Sequence, residues 1–572
     1  MSHLFSYLRK YAKECVLAPL FKLFEALLEL FVPLVVASII DNGLAAHDVP
    51  YIIRMTALLF ALAFTGLAVS VTAQYFSARA AALFARDAKA GLFRKIESLS
   101  LADCSKTGLA GLINRMTGDM NQVQSGVNMT LRLLLRSPFV VAGAAVMAFA
   151  VDLKAGLIFA LIIPLLSVIV YILLRITVPR FRSVQGRQDG LIAQTRENCS
   201  GARVLRAFNL QEEEKKSFEK ANSSLVRMQL GASAISALTN PLTSFIVNLG
   251  IIAVIWYGGI RVDCGTLSQG SVVALFNYMN QILVELIKLA SLIQTITKAI
   301  ASARRVEAVF NMDSTMADGS LCTVDDDADT AIEFRNVTFS YNKDSEPVLK
   351  DVSFSLKKGQ TLGIIGATGS GKSTLGALIA RLYDADSGQV SLFGKPVCAY
   401  SLRTLHDNVS LVLQKARLFT GTIRSNMLLA RPDAGDDDIR QALEDAQAWD
   451  FVSEKGLDSA VEAGGRNFSG GQRQRLSIAR GLVHGGKILI LDDSFSALDY
   501  VTDARVRAAV GQRKLTKVII SQRASSVLNA DKILLLENGC ISAAGTHAQL
   551  MESSQVYREI YYTQFEKEAE NV

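Results

Sequence analysis

The sequence predicts a chain of two parts, an all-α membrane domain of six spanning helices followed by an α/β domain of the phosphate-loop type. Three observations carry this reading. The first half holds apolar runs long enough to cross a bilayer, some without one charged residue. Its positive charge is confined to alternate connections between those runs. The second half places a glycine-rich loop between an apolar strand and an apolar helix, and about 120 residues later an apolar strand ends in two carboxylates. With 572 residues, 50% hydrophobic and only 20% charged, the chain is too apolar for a disordered protein and too long for one small domain. The cysteines (Cys15, Cys104, Cys199, Cys264, Cys322, Cys398 and Cys540) are scattered, with no CxxC spacing, which argues against a zinc site or a disulfide framework.

Taken in order, residues 15–40 form the first apolar run and carry Lys22, Glu25 and Glu29. Residues 55–76, 137–151, 155–174 and 231–260 are uncharged, and 271–297 carries Glu285 and Lys288. These are six expected spans, since about 20 helical residues cross the hydrocarbon core. Glu285 and Lys288 lie three apart on one helical face and are expected to neutralise one another rather than to contact substrate. Asn277, Asn280 and Gln294 are candidates to line a polar path.

Arginine and lysine cluster before the first run (Arg9, Lys10, Lys13), after the second (from Arg79 to Arg115) and after the fourth (from Arg180 to Lys220). The other connections are short and hold almost none. Positive charge stays cytoplasmic, so both termini and both long loops are expected on the cytoplasmic side of a cell membrane. Much of the net charge of +7 is this topological signal. No basic patch interleaved with aromatics points to nucleic acid. Apolar residues at helical spacing (Leu83, Phe84, Leu92, Phe93, Ile96) predict helices that leave the membrane through 77–97 and 110–126, and again through 180–228. The small, acidic stretch after Asn311 has linker composition, giving expected domains of 1–310 and 331–572 joined by a linker at 311–330.

The run Gly366, Ala367, Thr368, Gly369, Ser370, Gly371, Lys372, Ser373, Thr374 fits GxxxxGK(S/T) between the apolar segment Leu362–Ile365 and the helical segment Leu375–Leu382. The glycines let backbone N–H groups close around phosphate oxygens at a helix N-terminus, with Lys372 reaching the β- and γ-phosphates and Ser373 on Mg²⁺. The segment from Lys487 to Asp493 is a buried strand that would carry Asp492 to the sheet edge where phosphates sit, to hold Mg²⁺ through water. Ser469, Gly470, Gly471 and Gln472 open an apolar helix and offer a second anion cradle, or an ordinary helix cap.

These motifs together resemble an ABC exporter half-transporter. Residues 468–472, FSGGQ, are one residue off the family's LSGGQ signature. Ile40-Asp-Asn-Gly43 and the run from Asn198 to Phe208 are similar to segments of the exporters' membrane domain. The resemblance implies two such chains in the membrane, with each ATP held between one chain's phosphate loop and the other's signature. It also implies that Tyr341 stacks on adenine, that Gln414 senses Mg²⁺, that Ser496–Asp499 communicates across the dimer, and that segments near 103–109 and 198–206 are coupling helices. The chain departs from the family where a glutamate usually follows the Mg²⁺ aspartate, here Asp493, and where a histidine usually follows the last core strand, here Gln522. Aspartate is a shorter general base, and glutamine cannot become a cation. The resulting expectation is an ATP- and Mg²⁺-binding exporter half whose own site hydrolyses slowly and whose signature completes the site of a different partner chain. A homodimer with two slow sites, or an ATP-gated regulator that does not transport, are the alternatives. The resemblance implies export of small molecules, lipids or peptides, and which of these is transported is not legible.

Overall fold

A computed structural model describes residues 2–342 and 345–569. The chain divides into two compact units, Met1–Glu97 with Gly108–Met312, and Ser98–Thr107 with Asp313–Val572.

The first unit is helical. Among the described residues, six helices are long and apolar enough to cross a membrane: Ala12–Leu44, Val49–Glu97, Leu109–Val151, Leu153–Ser200, Gln211–Asp263 and Gln269–Phe310. Each runs beyond the apolar stretch that announced it. The helices expected at 77–97 and 110–126 are continuations of the second and third spans, the latter through a wider π turn at Arg115–Asp119. The segment 180–228 is broken instead. Gly201 ends the fourth span, a short helix covers Ala202–Ala207, and Asn209, at φ +55°, turns the chain into the fifth span. Asparagine is among the few residues that adopt this left-handed conformation readily.

Polar residues at the span ends fix the connections. Asp152 Oδ1 accepts from the Ala155 N–H at 2.8 Å, capping the fourth span, while Arg261 on the fifth span donates to Oδ2 at 3.2 Å. Asp41 accepts from the Gly270 N–H at 2.8 Å and so joins the end of the first span to the start of the sixth. A Cβ at Gly270 would meet the Ala37 carbonyl oxygen at 2.3 Å, so this approach requires glycine. The interior packs small residues (Ala144, Ala148, Ala155) against Phe159, Tyr278 and Met279, as helices that must approach closely in lipid do. The Tyr278 hydroxyl is satisfied by the Leu30 carbonyl at 2.8 Å. Large apolar side chains such as Phe64 and Trp256 point outward and are exposed, the reverse of a water-soluble fold.

The expected Glu285–Lys288 pair forms at 2.8 Å, but it is part of something larger. Arg136, at the start of the third span's apolar run, donates to Glu285 and to Glu29, both at 2.5 Å. Ser137 donates to Glu285 at 2.7 Å, and Lys22 bonds Glu25 at 2.5 Å and Ser70 at 3.1 Å. Glu29 of the first span and Glu285 of the sixth are thus joined by a buried arginine from the third.

The second unit is α/β. Its six-stranded sheet has the order β12-β11-β3-β10-β9-β6, with strands Cys540–Gly545, Lys532–Glu537, Thr361–Gly366, Thr516–Ile520, Ile488–Asp492 and Val409–Val412 respectively. All neighbours are parallel except the edge pair β11–β12. A four-stranded antiparallel sheet, β2-β1-β4-β5, is built from Leu349–Lys357, Thr330–Phe339, Ser387–Leu392 and Lys395–Pro396. The pair β7 and β8, Gly421–Thr422 with Ala460–Val461, is separate. The core strands read as unbroken apolar runs because both faces are covered; every residue of β9 is buried.

The acidic stretch after Met312 is strapped down within this unit. Asp103, on the helix Leu101–Thr107, accepts from the Thr315 N–H at 2.9 Å, the Thr315 hydroxyl at 3.0 Å and the Ser100 hydroxyl at 2.6 Å. The buried Arg381 donates to the Ala317 carbonyl at 2.7 Å, and Leu321 N–H donates to the Ala399 carbonyl at 2.9 Å.

Candidate nucleotide site and family

Three neighbouring parallel strands assemble the site at their carboxyl ends. In register, Ile364 of β3 pairs with Ile520 of β10, which pairs with Asp492 of β9. The residues that follow these positions therefore emerge side by side: the phosphate loop, Ser521–Gln522, and Asp492–Asp493. Open α/β sheets place ligands at this edge.

The loop enters the helix Lys372–Ile379 through Gly371, at φ +98°. That backbone conformation leaves successive N–H groups lining a concavity at a helix start, a geometry suited to phosphate oxygens. Lys372 Nζ lies over the loop and donates to the carbonyls of Gly366 (2.9 Å) and Ala367 (2.6 Å). Burial pushes its ammonium below the usual lysine range, against the pull of Asp493 and Asp492. Ser373 Oγ donates to Asp492 Oδ1 at 2.8 Å. Burial raises the Asp492 carboxyl, the Ser373 bond opposes this, and the charge of Asp493 adds to the rise. A buried carboxylate beside a second carboxylate and a hydroxyl is a donor set that fits a hard divalent cation. The Ser370 hydroxyl is buried in the loop with no hydrogen-bond partner among the described residues, as fits a group placed for an anion. The residues present therefore fit Mg²⁺ and a polyphosphate.

The structure brings Gln414 and Asp493 together: Gln414 Nε2 donates to Asp493 Oδ2 at 3.0 Å. Asp493 has φ +43°, tolerable for a short polar side chain, and its N–H donates to the Ile520 carbonyl at 2.8 Å. Thr368 Oγ1 bonds Gln522 Oε1 at 3.4 Å. Tyr341 is about half exposed, packs edge-on against Phe339 and Tyr383, and lies 3.1 Å from the Thr374 hydroxyl. Ser469 and Gln472 stand apart from this network. They form a reciprocal capping box on the helix Gly470–His484, with Ser469 Oγ accepting from the Gln472 N–H at 3.3 Å and Gln472 Oε1 from the Ser469 N–H at 3.0 Å. Gly470 is exposed, and a Cβ there would meet nothing within 4 Å.

One contributor carried no signal in the sequence. Gln564, on the C-terminal helix, accepts from the Ala524 N–H at 2.7 Å and donates to the Gln522 carbonyl at 2.9 Å, so it clamps the Gln522 loop from outside the sheet.

Comparison with known proteins decides the family. Residues 15–286 match the ABC transporter transmembrane region, and residues 349–496 match the ABC transporter family. An uncharacterised ABC transporter ATP-binding protein of Bacillus subtilis, YfiB, is 35% identical over 99% of both chains. The chain belongs to the ABC transporters. An ATP-dependent lipid A-core flippase of Syntrophus aciditrophicus is 30% identical over 84% of this ABC transporter and 80% of its own length. The fold matches a bacterial Atm1-family ABC exporter, solved with ATP bound, with a TM-score of 0.82 over 97% of this chain and 98% of that one, at 21% identity. This ABC transporter is thus a multi-pass membrane protein with the half-transporter architecture of the exporters, and its family binds ATP.

Proposed function

We propose that this ABC transporter is one half of an ATP-driven exporter, paired with a second, non-identical half. In this reading residues 1–310 form the transport pathway, 311–330 the connection, and 331–572 the ATPase domain, with both termini cytoplasmic. The phosphate loop from Gly366 to Thr374 takes the triphosphate, and Tyr341 stacks on the base. Ser373, Asp492 and Gln414 hold Mg²⁺, which supplies charge neutralisation at the β- and γ-phosphates when bound. The signature, Ser469 to Gln472, closes the partner's site.

The observation that carries the proposal is the pair Asp493–Gln522 at the positions where hydrolysis is run. A general base must come within about 3 Å of the proton it takes. Asp493 is one methylene short of the family's glutamate, and it is already held by Gln414 at 3.0 Å. Gln522, bonded to Thr368, offers an amide where a histidine could carry positive charge toward the γ-phosphate. Groups for binding are all present, and groups for hydrolysis are weakened. The names of the relatives, a lipid A-core flippase and a putative multidrug export protein among them, support outward movement of a lipid or drug.

The test is restoration. Asp493→Glu combined with Gln522→His in the chain purified alone is expected to raise ATP turnover at least about tenfold, since each group supplies on the order of 10²-fold in acid–base or electrostatic catalysis. Turnover that is brisk in the native chain, and unchanged by the two substitutions, contradicts the proposal.

A further inference from the structure

A polar cavity of about 320 Å³ opens inside the membrane unit between the first, third and sixth spans. Its polar lining is Glu29, Asn277, Asn280, Gln281, Glu285 and Lys288, set among valines and Pro33. Two of its neighbouring ions, Glu285 and Lys22, are fully engaged within the protein. Glu285 Oε1 receives Arg136 at 2.5 Å and Lys288 at 2.8 Å, and Oε2 receives Ser137 at 2.7 Å. Lys22 is taken by Glu25 and Ser70.

The lining itself is not satisfied, and its acceptors stand open around one carboxylate. Glu29 gives Oε2 to Arg136 at 2.5 Å, while Oε1 has no hydrogen bond among the described residues and the side chain is 42% exposed. Gln281 Nε2 donates to the Glu29 carbonyl at 3.4 Å, which fixes the amide and leaves Oε1 buried without a partner. Asn277 and Asn280 likewise direct their N–H groups to backbone carbonyls, at 3.0 and 3.3 Å, leaving their carbonyl oxygens open. Each of the three amides spends one N–H and keeps a second, and Lys288 adds a half-exposed ammonium, so the charged acceptor Glu29 is what sets the preference for a cation.

We infer that this cavity binds the primary ammonium head of an amphiphile. Glu29 takes the charge, and the amide oxygens of Asn277, Asn280 and Gln281 accept its N–H bonds. Lys288 faces a phosphate or carboxyl oxygen next to the ammonium. A primary ammonium brings three N–H donors to a pocket of open acceptors, and a quaternary ammonium of equal charge brings none. Arg136 is shared between Glu29 and Glu285, so the Glu29 charge is only partly answered within the protein. The valines accommodate the apolar part next to the head. An ethanolamine-type lipid headgroup and a free long-chain amine share this chemistry.

The test uses the full-length chain, with any partner that co-purifies, in phosphatidylcholine nanodiscs. Saturable binding of radiolabelled tetradecylamine and tetradecyltrimethylammonium is measured against protein-free discs. The primary amine is expected to bind at least about tenfold more tightly, as hydrogen bonds to a charged group imply. Glu29→Gln and Asn280→Leu should each erase that preference; the second leaves every ion pair in place and guards against a folding defect in the first. Equal binding of the two cations, no saturable binding of either, or a preference that survives both variants overturns the inference. Exchanging part of the phosphatidylcholine for phosphatidylethanolamine then names the source: competition assigns the site to a lipid headgroup, and its absence to a free amine, and either upholds ammonium recognition. That the bound amine is cargo rests on the export reading. Binding is measured without ATP or transport, so failure here leaves export standing, and failure to export leaves the pocket standing.

Discussion

In the proposed function, Lys372 serves binding and Asp493 serves hydrolysis. Lys372 is the loop's one cation, buried over the carbonyls of Gly366 and Ala367. Replacing it with methionine keeps the packing and removes the charge, so nucleotide affinity is expected to fall at least about tenfold, read by titration with a fluorescent ATP analogue. Asp493 is legible in the sequence because it follows a buried strand that ends at Asp492. Gln564 is not: it lies 42 residues from Gln522, and no spacing rule ties a glutamine on a terminal helix to a loop at the far end of a strand. Its contribution is positional. Gln564→Ala is expected to increase hydrogen exchange at residues 522–524 while leaving nucleotide affinity within about twofold, because the phosphate loop does not depend on it.

At the scale of elements, the buried arginine on the third span and the strap after the sixth carry the clearest consequences. Arg136 and its partners lie 107 and 149 residues apart in the chain. The sequence therefore displayed Glu285 and Lys288 as a local pair and hid the arginine that faces them. Arg136→Met would leave Glu285 buried with only Lys288 and Ser137, and is expected to destabilise the membrane unit by about 3–5 kcal/mol, read as a lowered melting temperature of the detergent-purified chain. Arg136→Met with Glu285→Met should recover most of the loss, since a buried pair replaced by apolar groups costs far less than one broken. Asp103 makes a parallel case in the strap. Burial would raise its carboxyl, but the bonds from Ser100, Thr315 and Lys106 outweigh burial and hold it down to about 2. Its folded value lies below its ordinary value of 3.8, so its stabilisation is present above that pH and is lost as pH falls toward 2. The difference corresponds to about 2 kcal/mol. Asp103→Asn is expected to free residues 313–316 at neutral pH to the extent that acid frees them in the native chain, measured by hydrogen exchange. Its small, acidic composition marks the stretch as a linker, but composition is blind to Arg381 and Asp103, whose contacts with it lie 64 and 212 residues away.

At the scale of the whole molecule, the six spans and the phosphate-loop sheet were readable because both rest on patterns that physics makes local. An uncharged run of membrane length has few other uses, and a phosphate loop needs glycines, a lysine and a hydroxyl within nine residues. The break at 201–210 was less readable, since helical periodicity continues on both sides of it and only Gly201 and Asn209 mark the turn. In the proposed pairing, what the chain does in company depends on a second ATPase domain, since Ser469 and Gln472 at the exposed start of their helix bond each other and make no hydrogen bond to the phosphate loop among the described residues. Steady-state ATP turnover of the purified chain alone, set beside that of the chain with the partner that co-purifies, tests this most directly. The chain alone is expected to turn over ATP at less than about a tenth of the rate of the pair, the size of effect that losing a well-placed general base produces. A chain that assembles only with itself and hydrolyses ATP at the full rate would contradict it.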